Sequence, residues 1–179
     1  MGKIKPPPFV KLIFGFIFQE DNIYNQARLI LERHFGGMDF DSPVFAFVYT
    51  KYYEKEMGAG LKRKFIAAKK LINPADLYKI KIFTNKIEKK LSRDSRRLIN
   101  IDPGYLDFAK LILASTKDYY HRIYLNKGIF AETTLFFRDK AFRAFEWTYL
   151  DYRTKEYAAV FEQIRTIYAR TCPKTTRRK

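Results

Sequence analysis

The run FVKLIFGFIF, Phe9 to Phe18, limits the folds open to this chain more than any other stretch. Lys11 is its only charge, and it is far shorter than the roughly 20 residues a membrane-crossing helix needs. A run so dense in bulky apolar side chains reads as a fully buried β-strand, with Gly15 marking a bulge or a close backbone approach. No membrane segment is expected. The basic MGKIKPPP ahead of the run is not followed by a small-residue cleavage site.

The remaining pattern builds a sheet and helices around that strand. A helix is expected from an Asp21 cap to about Phe35, with Ile23, Ala27, Ile30 and Leu31 as its stripe and Gly36-Gly37 as its stop. PVFAFVYT (43–50) reads as a second strand and YYEKEMGAG as a loop or helical turn. LKRKFIAAKKLI (61–72) reads as a strand antiparallel to the second, with a helix as the alternative. NPADL starts another helix, with Asn73 as cap and Pro74 in first position. Leu77, Ile80, Thr84, Ile87 and Leu91 share one face of it; Lys79, Lys86, Lys89, Lys90 and Arg93 fall on the other. RRLINI follows as a strand ending at Asp102, where Asp-Pro-Gly makes a turn.

The order β-α-β-β-α-β predicts an α+β fold with a ferredoxin-like core over about 8–101. A C-terminal α+β extension, about 102–170, completes one domain over 1–172. It holds a helix or strand near 105–113, a hairpin of HRIYL with IFAETTLFF across NKG, and a strand at AFRAFEW. A last helix runs from about Thr154 to Ala169, burying Tyr157, Val160, Phe161, Ile164 and Tyr168. The basic PKTTRRK (173–179) is expected to be a disordered tail.

Charge is unevenly spread. The net +16 is confined to residues 61–100, at +10, and 152–179, at +6. Such clustering fits an anionic partner such as nucleotide or nucleic acid, and it also fits a solvated surface. Cys172 is the one cysteine, so no internal disulfide can form and a cytoplasmic setting is expected. Oligomeric state is not legible.

Several chemistries are disfavoured by what is missing. No G-x-x-x-x-G-K-[ST] occurs, so P-loop triphosphate hydrolysis is set aside. With two histidines 87 positions apart and no C-x-x-C, no metal site is expected. Magnesium asks only for one or two carboxylates, which Asp102 with Glu132 or Asp118 would meet, but that pattern is unspecific. FAFVYT resembles the third-strand motif of an RNA-recognition domain, yet Pro43-Val44 stands where a basic-glycine pair belongs. Its aromatics are read as core.

The densest group of reactive side chains lies in INIDPGYLDFAKLILASTKDYYHRIYL (99–125). Asp102, His121 and, further on, Glu132 are the candidate acids and bases. Ser115, Thr116, Lys117, Arg122 and Tyr105 are the candidate ligand-binding residues, since hydroxyls beside cations hold phosphate. Lys79, Lys86, Lys89, Lys90 and Arg93 form a separate anion or nucleic-acid surface. Taken singly, each of these residues also has an ordinary structural role in a cap, a turn or a solvated face.

TKYYEKEMG, NIDPGYL, KLILASTKDYYHRIYL, GIFAETTL and WTYLDYR, in this order, resemble the prokaryotic family called domain of unknown function 4416. The resemblance runs from about Pro8 to Tyr168. Leu150 and Ala59 stand where that family more often has proline. The resemblance implies a small soluble bacterial or archaeal protein with no established activity and no assigned catalytic residues.

The leading expectation is a non-catalytic binding protein for a phosphate-bearing ligand, either nucleotide or nucleic acid. One alternative is an enzyme acting on a phosphate ester or nucleotide: Asp102 and Glu132 hold a metal or act as base, His121 is the acid, and Lys117 stabilises developing charge. The other is a protein-interaction module with a patch around Tyr52, Tyr53 and Met57.

Overall fold

A computed structural model describes residues 2–94 and 96–172. In chain order the strands are β1 (Val10–Phe18), β2 (Met38–Asp41), β3 (Phe45–Ala46), β4 (Lys62–Ile72), β5 (Ile99–Leu106), β6 (Lys110–Ser115), β7 (Ile123–Asn126), β8 (Ile129–Arg138) and β9 (Ala141–Ala144). The helices are α1 (Asp21–Phe35), α2 (Glu54–Met57), α3 (Leu77–Lys90) and α4 (Lys155–Thr171). The strands form one antiparallel sheet in the order β2-β4-β1-β5-β6-β8-β7, with β3 added to β4 and β9 to β8. This is an α+β architecture.

All nine residues of β1 are buried because both faces of the sheet are covered. Successive strand side chains alternate in direction. Leu12, Phe14, Phe16 and Phe18 therefore pack on Ile23, Tyr24, Ala27 and Leu31 of α1 and on Ile80 and Ile87 of α3. Ile13 points the other way, into a cluster with Phe65, Leu106 and the α4 residues Tyr157, Val160, Phe161, Ile164 and Tyr168. Each large apolar side chain so enclosed contributes roughly 1.5–3 kcal/mol. Lys11 is fully buried and reaches Asp39 of β2, with Nζ 2.5 and 2.6 Å from the carboxylate oxygens. The lone charge of the apolar run is thus paired inside the fold.

Most expected elements form. Thr154 caps α4 by accepting from the Tyr157 N–H, and Asn73 accepts from the Ala75 N–H ahead of α3. Gly36 closes α1 at φ +87°, while Asp21 is the first helical residue and Glu20 occupies the cap position. Residues 61–72 resolve as a strand, since β4 pairs with β1, β2 and β3. Lys127 and Gly128, both at positive φ, turn the β7–β8 hairpin. Gly15 marks a close approach: a Cβ there would lie 3.2 Å from the Phe65 ring and 3.3 Å from the Tyr152 hydroxyl. The register shift in β1 lies instead between Lys11 and Ile13.

Two further expectations are corrected. Residues 43–50 are not a full strand. The partner of β4 here is Met38–Asp41, and only Phe45–Ala46 pairs beyond it. Pro43 has no N–H to donate; beside it the Ser42 N–H donates to the Phe65 carbonyl, and the Ser42 hydroxyl stands in for a backbone acceptor by accepting from the Phe65 N–H, both at 2.9 Å. Asp102-Pro103-Gly104 is not a turn. All three lie inside β5, opposite Gly15, Phe14 and Ile13 of β1. The actual turn comes at Asp107, whose carboxylate accepts from the Ala109 and Lys110 N–H groups.

On its other side β5 pairs with β6 only from Gly104 to Leu106. Pro103 stands where that pairing stops, so the two strands fork there. Among the described residues no helix is long and apolar enough to cross a membrane. The expected tail lies outside the described residues.

Candidate functional site

The fork between β5 and β6 opens a cleft of about 600 Å³. Asn100 and Asp102 of β5 form one wall; Leu113, Ala114 and Ser115 of β6 form the other, continued by Thr116, Lys117 and Glu132. Lys81, Asn85 and Glu88 of α3 reach it from one layer, and Arg63 of β4 from the sheet. Tyr49, from the segment that fails to form a strand, stands at its rim with Tyr52, Tyr53 and Tyr149.

A chain of paired charges runs along one side. Arg63 is only 2% exposed. Its Nη2 donates to the Tyr152 hydroxyl at 2.6 Å, and its guanidinium lies 3.6 Å from both Asp102 and Asp151. Lys81 donates to the Ile101 carbonyl at 3.0 Å and sits 3.5 Å from the other Asp102 oxygen. Asn100 donates to Asp102 at 2.6 Å and accepts from Arg97 at 2.9 Å. Arg97 also pairs with Glu56 at 2.8 Å and Glu88 at 3.4 Å. Glu88 in turn accepts from the Ile101 N–H at 2.7 Å.

Burial raises the Asp151 carboxyl above the usual carboxylate range, and Arg63 opposes the rise only in part. Burial raises Glu88 likewise against the pull of Lys81. A folded-state pKa raised above the unfolded value means the native protein holds the proton more tightly, so the stabilising contribution is largest at low pH. It is lost as pH rises through the folded value. Stability of Asp151→Asn relative to wild type, from urea unfolding, should therefore shift in the variant's favour as pH rises from the ordinary carboxylate range. A pH-independent difference would contradict the assignment.

The opposite wall is organised around Glu132, 2% exposed on β8. Its Oε2 accepts from Arg122 Nε at 2.9 Å and lies 3.2 Å from His121 Nε2. Its Oε1 accepts from the Thr134 hydroxyl at 3.2 Å. His121 stacks on Trp147, with centroids 5.3 Å apart and planes at 10°. Arg122 further donates to the Lys117 carbonyl and the Tyr149 hydroxyl, at 2.9 and 2.7 Å. Lys117 stands at the mouth. Its Nζ donates to the Tyr52 hydroxyl at 3.0 Å and lies 4.6 Å from that ring's centroid, which lowers the Tyr52 phenol from its ordinary value. The Ser115 hydroxyl accepts from the Lys117 N–H at 3.1 Å.

Of the residues expected from sequence, Asp102, Ser115, Thr116, Lys117 and Glu132 line this one cleft. His121 and Arg122 stand behind the wall and act on Glu132. Tyr105 is elsewhere, half-buried beside Leu77, Ile112 and Ile129. Lys79, Lys86, Lys89, Lys90 and Arg93 are exposed and outside the cleft. Tyr52 is exposed, Tyr53 half-buried and Met57 buried, so these three form no continuous outer patch. Among the described residues no group of three or more His, Cys, Asp or Glu side chains is placed to hold a metal ion.

Arg63, Lys81, Glu88, Arg97 and Asp151 were not read from sequence. One signal was there: Lys81 and Glu88 sit beside Ile80 and Ile87 on the buried face of α3, two turns apart. A charged pair on an apolar stripe asks for partners.

A family model described as domain of unknown function (DUF4416) matches residues 8–168. No curated protein and no solved structure matches the chain.

Proposed function

Since the chain belongs to the domain of unknown function (DUF4416) family, we propose from the cleft alone that it binds a small phosphate-bearing ligand, a nucleotide. The observation that carries this reading is the charge of Lys117. Arg63, Lys81 and Arg97 each have carboxylate partners within the cleft, whereas Lys117 makes no ion pair among the described residues. It stands beside the Ser115 and Thr116 hydroxyls, a donor set suited to phosphate oxygens. Rim tyrosines offer faces for a base, and Asp102 and Asn100 offer acceptors and donors for its edge. A volume of about 600 Å³ suits one nucleotide rather than a polymer.

Isothermal titration with nucleosides and their 5′-phosphates tests this. Phosphorylated forms should bind more tightly, and Lys117→Ala should weaken them about 10- to 100-fold, as expected for a charge-assisted hydrogen bond. Nucleoside binding should not change. Equal affinity for both forms, or no effect of the substitution, refutes the reading.

The meeting of Asp102, Glu132 and Lys117 in one cleft supports a second reading, an enzyme acting on a phosphate ester or nucleotide. In it Asp102 and Glu132 supply the base, Lys117 stabilises developing charge, and His121 holds Glu132 rather than meeting substrate. Release of inorganic phosphate or of a base from a bound nucleotide would select it.

We also read β1, α1, β2, β4, α3 and β5 as a ferredoxin-like unit. The strand order β2-β4-β1-β5, antiparallel throughout, and the packing of α1 and α3 on one face support this.

A further inference from the structure

We propose that the C-terminal half of α3 and the turn after it form a second binding surface, separate from the cleft, for the sugar-phosphate backbone of nucleic acid. Lys86, Lys89 and Lys90 fall within about 100° of arc on the helix, and all three are exposed. Arg93 and Arg96 continue the row. Their backbones bond to each other, N–H to carbonyl, at 3.0 and 2.8 Å, so the turn holds both arginines at its base. None of the five makes an ion pair among the described residues. Lys79 lies on the same line two turns back, but Asp76 takes its charge at 2.7 Å.

The surface keeps a large positive excess because most of the nearby carboxylates are used elsewhere. Glu88 is the only acid in α3, and it is turned inward to the Ile101 N–H and Arg97. Glu56 is held by Arg97. Asp94, at the turn between the two arginines, is the one exposed acid within the row. A surface that serves only solubility intersperses both signs. This one concentrates a single sign at a helix C-terminus, where the helix dipole makes cations inexpensive to hold.

Nucleic acid fits this surface better than an anionic membrane does. Between Tyr52 and Tyr119 no large apolar side chain is exposed among the described residues, and membrane-surface helices need such anchors. The row itself carries no exposed aromatic side chain among the described residues, so its contacts are expected with phosphates and without reading of base sequence.

The test is fluorescence anisotropy of the full chain with labelled 20-nucleotide single strands and the matching duplex, from 50 to 200 mM salt. Four phosphate contacts give a log–log slope of about −2.8 for the single strand and about −3.6 for the duplex, so affinity should fall about 50- to 150-fold over that range, with little dependence on sequence. Lys86→Glu/Lys90→Glu/Arg93→Glu should abolish binding while its circular dichroism and nucleotide affinity stay unchanged. Lys117→Ala should leave polymer binding intact, which separates failure of this surface from failure of the cleft. Salt-independent binding, unchanged affinity of the triple variant, or binding only to phosphatidylserine vesicles would overturn the proposal.

Discussion

Gly104→Ala should destabilise the protein by about 3 kcal/mol or more, beyond most single substitutions. A Cβ at this position would overlap the Ile112 carbonyl oxygen and lie 2.7 Å from Leu113 Cδ2. Both belong to β6, and Gly104 faces Leu113 in the ladder. Alanine is otherwise the better strand residue, by roughly 0.5–1 kcal/mol. Here the collision wins, because a backbone atom cannot rotate aside. Only three residue pairs join β5 to β6, and they hold β6, β8, β7 and β9 to the rest of the sheet. Forcing them apart also widens the cleft, so ligand affinity should fall with stability. Gly37→Ala is the control: nothing lies within 4 Å of its Cβ position, and its φ is ordinary. Its effect should stay within about 0.5 kcal/mol. Urea unfolding of the two variants decides the matter. A Gly104→Ala loss below about 1 kcal/mol would mean that the strands separate at little cost.

The same glycine shows why the cleft was only half legible. Asp-Pro-Gly is a turn signature when its residues are taken locally, since Asp accepts backbone hydrogen bonds and Pro has no N–H. Inside β5 each of the three has a non-local reason. Gly104 lets β6 approach, Pro103 marks where that approach ends, and Asp102 meets Arg63 and Lys81 from other elements. Asp102, Ser115, Thr116, Lys117 and Glu132 could be suspected as a group because four of them lie close in sequence and β6 pairs with β8. Arg63 and Asp151, 88 positions apart, could not. The aromatic run 43–50 misled in a related way. Phe, Val and Tyr alternate there as they do in a strand, but Phe47 joins a small core cluster with Ile17 and Met57, and Tyr49 lines the cleft. Where periodicity was set by burial alone, as in β1, α1, α3 and α4, sequence and structure agree.

Arg63→Met is the second change with a large expected effect, and it tests whether charge or packing holds the cleft floor. Methionine keeps much of the apolar volume that packs against Phe65 and Tyr152, whose ring centroids lie 4.9 and 5.0 Å from the guanidinium carbon. What it removes is the cation between Asp102 and Asp151. Breaking a buried pair by deleting one partner typically costs about 3–5 kcal/mol, because the remaining charge stays desolvated. Asp151 is already raised by burial, and Arg63 is the largest influence lowering it. Without Arg63 the native carboxyl binds its proton still more tightly than the unfolded one. The variant's deficit should therefore be greatest at neutral pH and above, and should shrink as pH falls toward the ordinary carboxylate range. Adding Asp151→Asn should recover part of the loss at pH 7 and little at pH 4. A deficit equal at both pH values, with no recovery in the double variant, would show that Arg63 acts as a spacer between rings. In that case Asp102 would owe its position to Lys81 and Asn100 alone, and nucleotide affinity should survive the loss of Arg63.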